Sequence, residues 1–177
     1  MAKSSRKKIH QDEQKVLAAL EENANASIGG IAKKCGFSRQ KAWRIIKRLE
    51  RNDIIWGYHA RVNDEKMNRT GYILLYKLKH LPIGNELEKN LITGKFDALA
   101  KKNDILIKDN LWLHGSYDGM ISFYAENIRK AKQFHEVILS TYDGNITDAQ
   151  LLEQMIVIKK DGFVNPKISE TENLLEI

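Results

Sequence analysis

The apolar residues of this chain keep a helical rhythm in the first third, and in the remainder helical stretches are interleaved with strict alternation. From Asp12 to Glu22, DEQKVLAALEE sets Val16, Leu17 and Leu20 at helical spacing, with acids in the expected first turn where the helix dipole favours them. The preceding AKSSRKK has no apolar period and reads as a mobile basic arm. NANAS breaks the first helix. Ser27 can then cap IGGIAKKC, whose narrow stripe of Ile28, Ile31 and Ala32 over two glycines makes a helix that only packing can hold. Gly36 suits a C-terminal helix cap and Ser38 an N-terminal one, so CGFS predicts a tight turn between helices. In GFSRQKAWRIIKRLE, Ala42, Ile45, Ile46 and Leu49 fall at i, i+3, i+4 and i+7 and define one buried face of a third helix. Its opposite face carries Gln40, Arg44, Lys47 and Arg51, with Trp43 and Arg48 on the flanks. The following IIWGYHARV, rich in β-branched and aromatic residues, predicts a strand or small wing.

A different pattern begins after Arg69. In GYILLYKLK, Tyr72, Leu74, Tyr76 and Leu78 share one face and Ile73, Leu75, Lys77 and Lys79 the other, as in a strand. The segment from Asn85 to Asn103, with Leu87, Leu91, Phe96, Leu99 and Ala100, predicts a helix interrupted near Gly94. DILIKDNLWLHG and MISFYAE predict two strands joined by the turn SYDG. Asn127 to Leu139 is amphipathic through Ile128, Ala131, Phe134, Val137 and Ile138, and ITDAQLLEQMIVIKK returns to strand character. The order strand, helix, strand, strand, helix, strand is the split βαβ arrangement, an antiparallel sheet with two helices on one face. No further helix is available for the other face, and self-association is the economical way to cover it. The fold class is therefore α+β: an N-terminal winged helix-turn-helix over 1–62, a linker over 63–69, a ferredoxin-like βαββαβ domain over 70–160 and a tail over 161–177 expected to fray.

Charge sharpens this division. Met1 to Val62 holds 14 Lys and Arg against 6 Asp and Glu, while Asn63 to Ile177 holds 15 against 17. A net +8 on the helical third points to a polyanion as its partner. The single cysteine, Cys35, excludes an internal disulfide and a multi-cysteine metal cage, and its default role is a small buried hydrophobe. The five histidines, His10, His59, His80, His114 and His135, do not fall in zinc spacings. No metal, cofactor or catalytic residue is expected. Without an apolar run of bilayer length or a signal peptide, a cytoplasmic location with no membrane partner is expected.

In a helix-turn-helix the second helix enters the major groove while the first fixes its angle. Arginine pairs bidentately with guanine and glutamine with adenine, so Arg39, Gln40 and Arg44 at the leading end are the base-reading candidates. Lys41, Lys47 and Arg48 are phosphate contacts that supply affinity and register. Trp43 has two readings of equal weight, a half-buried aromatic closing the small core or an apolar contact to a thymine methyl or sugar. With the capping Ser38, these eight residues are the DNA-binding set.

The stretch from Val16 to Asn63 resembles the winged helix-turn-helix of the Lrp/AsnC, or feast/famine, regulators, and the likeness extends from Gln11 to Lys160. It rests on the leucine-bearing first helix, Ile31-Ala32 before Gly36-Phe37-Ser38, Arg48-Leu49-Glu50, and Ile55, Gly57, Tyr58, Ala60 and Val62. The sequence departs from that pattern at Ile45, where the family usually has arginine, and at Asp53, where a glycine normally ends the recognition helix; the second departure predicts a less sharp turn. The resemblance implies a sequence-specific transcriptional regulator that binds double-stranded DNA as a homodimer, with assembly up to an octamer open. It also implies that Gly115, Tyr117, Asp118 and Gly119, in HGSYDG, lie near an effector pocket for an amino acid or other small molecule. The alternative for this hairpin is purely structural, with the aspartate capping its own turn. Two rival functions remain at this level. One is an enzyme subunit like siroheme decarboxylase, in which the basic residues serve acetate side chains of the substrate and His114 or Tyr117 faces a cleft. The other is a DNA-compacting protein with little sequence preference.

Overall fold

The computed structural model describes residues 2–81, 83–85, 88–89, 93–142 and 144–168, with side chains from Arg6 onward. The chain forms two compact units that part between Arg61 and Val62, with Asp161–Phe163 belonging to the first.

The first unit is three helices: α1 (Ala2–Glu22), α2 (Ile28–Cys35) and α3 (Arg39–Arg51). Val16, Ala19, Leu20, Ile31, Ile45, Ile46 and Leu49 form its core, with Leu17, Cys35, Phe37 and Ile55 packed at the margin. Ala42 is also buried, so the predicted stripe of α3 is the observed one, and Ile45 belongs to the core rather than to the exposed face. The turn is built as its residues dictate. The Ser27 hydroxyl accepts from the Gly30 N–H at 3.1 Å, and Ser38 from that of Lys41 at 3.2 Å. Gly36 sits at φ 70°, where the Phe37 N–H reaches back to the Ala32 carbonyl at 2.8 Å.

Three expectations change. The basic arm is not a separate segment, because α1 begins at Ala2. Residues 2–11 contain no glycine or proline, and extending a helix already nucleated by packing costs little per residue. Asp12 and Glu13 therefore lie in mid-helix rather than in a first turn. The second change is at Asp53, which takes up the left-handed conformation itself, at φ 54°. Its N–H donates to Glu50 at 3.2 Å and that of Ile54 to Leu49 at 3.0 Å, the hydrogen-bond pattern of a sharp glycine-type helix end. Aspartate tolerates this region better than most side chains, so the turn survives the loss of glycine. The third change is the wing. Residues 55–63 form no strand, since a strand needs a neighbour for its backbone groups and none is supplied among the described residues. Trp56 stands 93% exposed there, its indole N–H donating to the Asp53 carbonyl at 2.7 Å.

The second unit opens with a short 3-10 turn, Glu65–Met67, and contains β1 (Thr70–Leu78), α4 (Lys95–Lys102), β2 (Leu106–Trp112), β3 (Gly119–Ala125), α5 (Ile128–Thr141) and β4 (Ile146–Glu153). The two-residue strands β5 (Lys159–Lys160) and β6 (Phe163–Val164) follow, so the tail is not wholly irregular. The main sheet has the order β2-β3-β1-β4, every neighbour antiparallel, as the split βαβ pattern requires. Tyr72, Leu74, Tyr76 and Leu78 of β1 pack with Ile121, Phe123, Phe96, Ala100, Ala131, Phe134, Ile138 and Tyr142 into the core under α4 and α5. Helix α5 starts where the Asn127 side chain accepts from the Lys130 N–H. Gly94, at φ 71°, precedes α4, and the expected contributions of Leu87 and Leu91 lie outside the described residues, as do 169–177 of the tail.

The other face of the sheet is less covered. Across it run Leu111, Met120, Leu75 and Gln150 in one row and Asp109, Ser122, Ile73 and Leu152 in the next. Its third row is closed by a polar cluster: Tyr124, 4% exposed, donates to Asp64 at 2.5 Å and accepts from the Lys160 ammonium at 2.8 Å. Lys160 also reaches Gln154, whose side chain lies over Gly71.

Candidate nucleic-acid interface

Helix α3 carries six basic residues and one acid, and the sequence reads this as a face without compensating charge. The structure divides the six. Lys41 is paired with Asp12 at 2.7 Å and Arg48 with Glu13 at 2.8 Å, both across to α1, and Lys47 with Glu50 at 2.7 Å within α3. The Lys41 hydrogen bond holds the Asp12 carboxyl below the usual aspartate range, and Lys47, assisted by Tyr58, does the same for Glu50. Arg39, Arg44 and Arg51 have no ion pair or hydrogen bond among the described residues, nor does the Gln40 side chain. The three phosphate-contact candidates are thus the neutralised ones, and the three base-reading candidates, Arg39, Gln40 and Arg44, are unengaged. Glu50 lies three positions from Lys47, within reach of helix spacing, but Asp12 and Glu13 lie 29 and 35 positions from Lys41 and Arg48, beyond it.

Trp43 stands outside the core cluster and is 48% exposed, which leaves its core-closing role without support. With Ile28, Arg39 and Gln40 it lines an apolar hollow of about 330 Å³ open to solvent. Ile28 was expected in the buried stripe of α2 and instead faces this hollow in part. Lys41 does cover an aromatic, its ammonium lying 4.0 Å from the centre of the Phe37 ring. Cys35 is half-buried, its thiol 3.4 Å from the Lys15 carbonyl, and burial raises its pKa, consistent with an inert filler rather than a nucleophile.

Residues 13–55 match the winged helix-turn-helix DNA-binding family. Over 56 residues, 32% of this chain, the sequence is 39% identical to the transcriptional regulator LrpA1 of Halobacterium salinarum, spanning 39% of that protein. It is 21% identical over 148 residues to the DNA-binding transcriptional activator DecR of Escherichia coli, covering 81% of this chain and 91% of that one. Among solved structures, a regulator of Neisseria meningitidis in complex with L-methionine superposes with a TM-score of 0.67 over 90% of this chain and 97% of its own, at 17% identity. An AsnC family regulator of Agrobacterium tumefaciens gives 0.62 over 89% and 97%, at 20% identity. The chain carries a winged helix-turn-helix DNA-binding domain and shares its fold with these regulators. The superpositions span both the helical unit and the four-stranded sheet, so the fold of each is that of the solved regulators.

The hairpin between β2 and β3 holds the other candidates. Asp118 does not cap its own turn. Its carboxylate accepts from the Leu78 N–H at 2.8 Å and its own N–H donates to the Tyr76 carbonyl at 3.0 Å, so it fastens the hairpin to β1. At Gly119 a Cβ would meet the Tyr76 ring at 2.1 to 2.5 Å, and the glycine is there to admit that ring. Gly115 is exposed with open space around it, and Tyr117 is half-buried. Of the four effector candidates, Asp118 and Gly119 thus have structural tasks of their own. Sequence reading missed Tyr76 as their partner and Tyr142 as the side chain packed against Tyr76, because these contacts depend on register rather than local spacing. The Tyr142 hydroxyl donates to that of Tyr76 at 3.1 Å, and burial raises both phenols above the ordinary tyrosine value, Tyr142 strongly.

Among the described residues, no group of three or more His, Cys, Asp or Glu could hold a metal ion, and no helix is long and apolar enough to cross a membrane.

Proposed function

We propose that the chain is a sequence-specific DNA-binding transcriptional regulator that acts as a homodimer, with α3 in the major groove. The observation that carries this reading is the set of unengaged base-pairing groups, Arg39, Gln40 and Arg44, at the leading end of a helix whose start is fixed by a capped turn. Arginine and glutamine there have the donor geometry to read guanine and adenine edges. Arg51, and Lys41, Lys47 and Arg48 after exchange of their carboxylate partners, would supply phosphate contacts. The second copy is supported by the exposed leucines of the sheet's open face, Leu106, Leu111 and Leu152, which flank Ile73, Leu75 and Met120. Two copies meeting there bring two recognition helices to a pseudo-palindrome with half-sites about 34 Å, or a multiple, apart.

The Neisseria relative crystallised with L-methionine supports an amino-acid effector. In this chain the site would be built from Gly115, Tyr117 and the turn backbone rather than from the Asp118 oxygen already bound to Leu78. Selection of duplexes from a random pool by the full-length protein, across salt concentrations and with each amino acid in turn, tests the whole reading. Expected are an enriched palindrome, binding that weakens steeply with salt, and an altered affinity with one amino acid. Binding to no duplex at low salt would overturn it, and equal binding to all sequences would replace a regulator with a DNA-compacting protein.

A further inference from the structure

Trp43 belongs to no core cluster among the described residues. It is half exposed, and its indole N–H has no hydrogen-bond partner among the described residues, in contrast to that of Trp56. Together with Ile28 it lines an apolar hollow open to solvent, and a contiguous apolar surface of this kind marks a contact site where a lone exposed aromatic would not. Its surroundings say what kind. The hollow it forms with Ile28, Arg39 and Gln40 lies where the first turns of α2 and α3 converge, both capped by serine hydroxyls. Its wall is almost wholly apolar although two of its four residues, Arg39 and Gln40, are polar, and the polar ends of these two have no partner among the described residues.

We infer that this hollow is a thymine subsite, taking the 5-methyl group of one thymine while Arg39 or Gln40 pairs with an adjoining base. The inference rests on the DNA-binding reading and names the base that the reading leaves open. Three arguments favour this occupant. The ordinary bases of B-DNA present one apolar group in the major groove, the thymine methyl, and side chains that recognise it do so by apolar contact. The hollow is lined in part by Arg39, and Arg44 follows Trp43 directly in α3; both are cations without an ion pair among the described residues, which suits a polyanion rather than an apolar peptide. The leading end of the second helix is also the part of a helix-turn-helix that meets base edges. Trp43 is then a specificity-determining residue: it discriminates T·A from the other pairs without a hydrogen bond.

The test separates the methyl group from everything else on the base. Full-length protein is titrated against the duplex it selects from a random pool, and against duplexes in which each thymine of one half-site is replaced singly by deoxyuridine, which keeps the pairing and removes only the methyl. Burial of one methyl corresponds to roughly a fourfold affinity difference. Expected is a loss of about that size at one position for the wild type and for Arg44→Ala, and no loss for Trp43→Ala. Circular dichroism establishes that the variant is folded; should Trp43→Ala unfold, Ile28→Ala serves, with the discrimination at least halved. Equal binding of thymine and deoxyuridine at every position by the wild type overturns the inference while leaving the regulator reading intact. So does a selected half-site without thymine, or a discrimination that survives Trp43→Ala. Absence of salt-dependent binding to any duplex removes the regulator reading and this inference with it.

Discussion

Gly119→Ala separates a structural from a ligand-binding role for the β2–β3 hairpin. The added Cβ would lie 2.1 to 2.5 Å from Cζ, Oη and Cε2 of Tyr76, against the 3.5 to 4.0 Å of ordinary carbon contact. The ring must move by more than 1 Å, and it has little room to do so. Tyr76 is 1% exposed, its ring centre lies 5.3 Å from that of Tyr142, and Tyr142 is in turn backed by Phe96 at 5.7 Å. Overpacking of this kind costs about 1 to 3 kcal/mol. Breaking the Tyr142–Tyr76 hydroxyl contact adds about 1 kcal/mol. The expected loss is about 3 kcal/mol, a fall in Tm on the order of 15 °C for a domain of this size. Thermal melts followed by near-ultraviolet circular dichroism, which reports the packed tyrosines, measure it. Gly115→Ala in the same hairpin meets nothing within 4 Å, so only its backbone, at φ 157°, resists a side chain and its loss of stability should be clearly smaller than that of Gly119→Ala. The double variant Gly119→Ala with Tyr76→Leu should be less unstable than the sum of the two single changes, because the smaller side chain vacates the space. A Gly119→Ala protein that melts within 1 °C of the parent, yet no longer responds to an amino acid, would refute the packing argument and return Gly119 to the effector site.

Other outcomes follow from the same geometry. Arg44→Ala should cost about 1 to 3 kcal/mol at the selected duplex and relax one base position, as read by binding to single-substituted duplexes. Glu50→Gln releases Lys47 from its 2.7 Å pair, so the slope of log affinity against log salt should steepen, by at most about 0.9 for one added phosphate contact. Asp53→Gly removes a side chain from the left-handed region at φ 54° and should stabilise the helical unit by about 0.5 to 1 kcal/mol, seen as a raised denaturation midpoint with unchanged m-value. The Asp12 carboxyl is held below its ordinary value, chiefly by the Lys41 hydrogen bond, so its pair stabilises at pH above the ordinary aspartate range and is lost as pH falls through the depressed value. Lys41→Ala should bring the Asp12 titration back toward the ordinary range in carboxyl-resolved NMR.

Much of this protein is written in short-range pattern. The buried stripe of α3, the Ser27, Gly36 and Ser38 caps and the faces of β1 each depend on residues within four or five positions of one another, where backbone geometry fixes which side chains coincide. Those elements appear where their spacing puts them. What spacing could not supply were relations between elements. Nothing in the surroundings of Lys41 or Arg48 announces that Asp12 and Glu13 will stand opposite, although two adjacent acids in a helix otherwise rich in lysine were a signal that they had partners elsewhere. Gly119 could be read only as a turn glycine until the register set Tyr76 across from it.

The same distinction explains the two errors about chain ends of elements. Residues 6–11 are exposed and lack an apolar period because they face solvent, which is different from lacking helix, and a stripe-based reading conflates the two. The segment 54–62 has strand composition, but composition does not provide a neighbouring strand. Strand character is thus a statement about a pair, and for this segment the pair is not completed among the described residues of the chain. Ile45 shows the converse case. It fills an arginine position of the family pattern, yet its environment is set by the three-residue and four-residue spacing to Ala42 and Leu49, and it lies in the core. Where periodicity and family pattern disagree about one residue, burial follows the periodicity, because apolar surface removed from water is the larger energy.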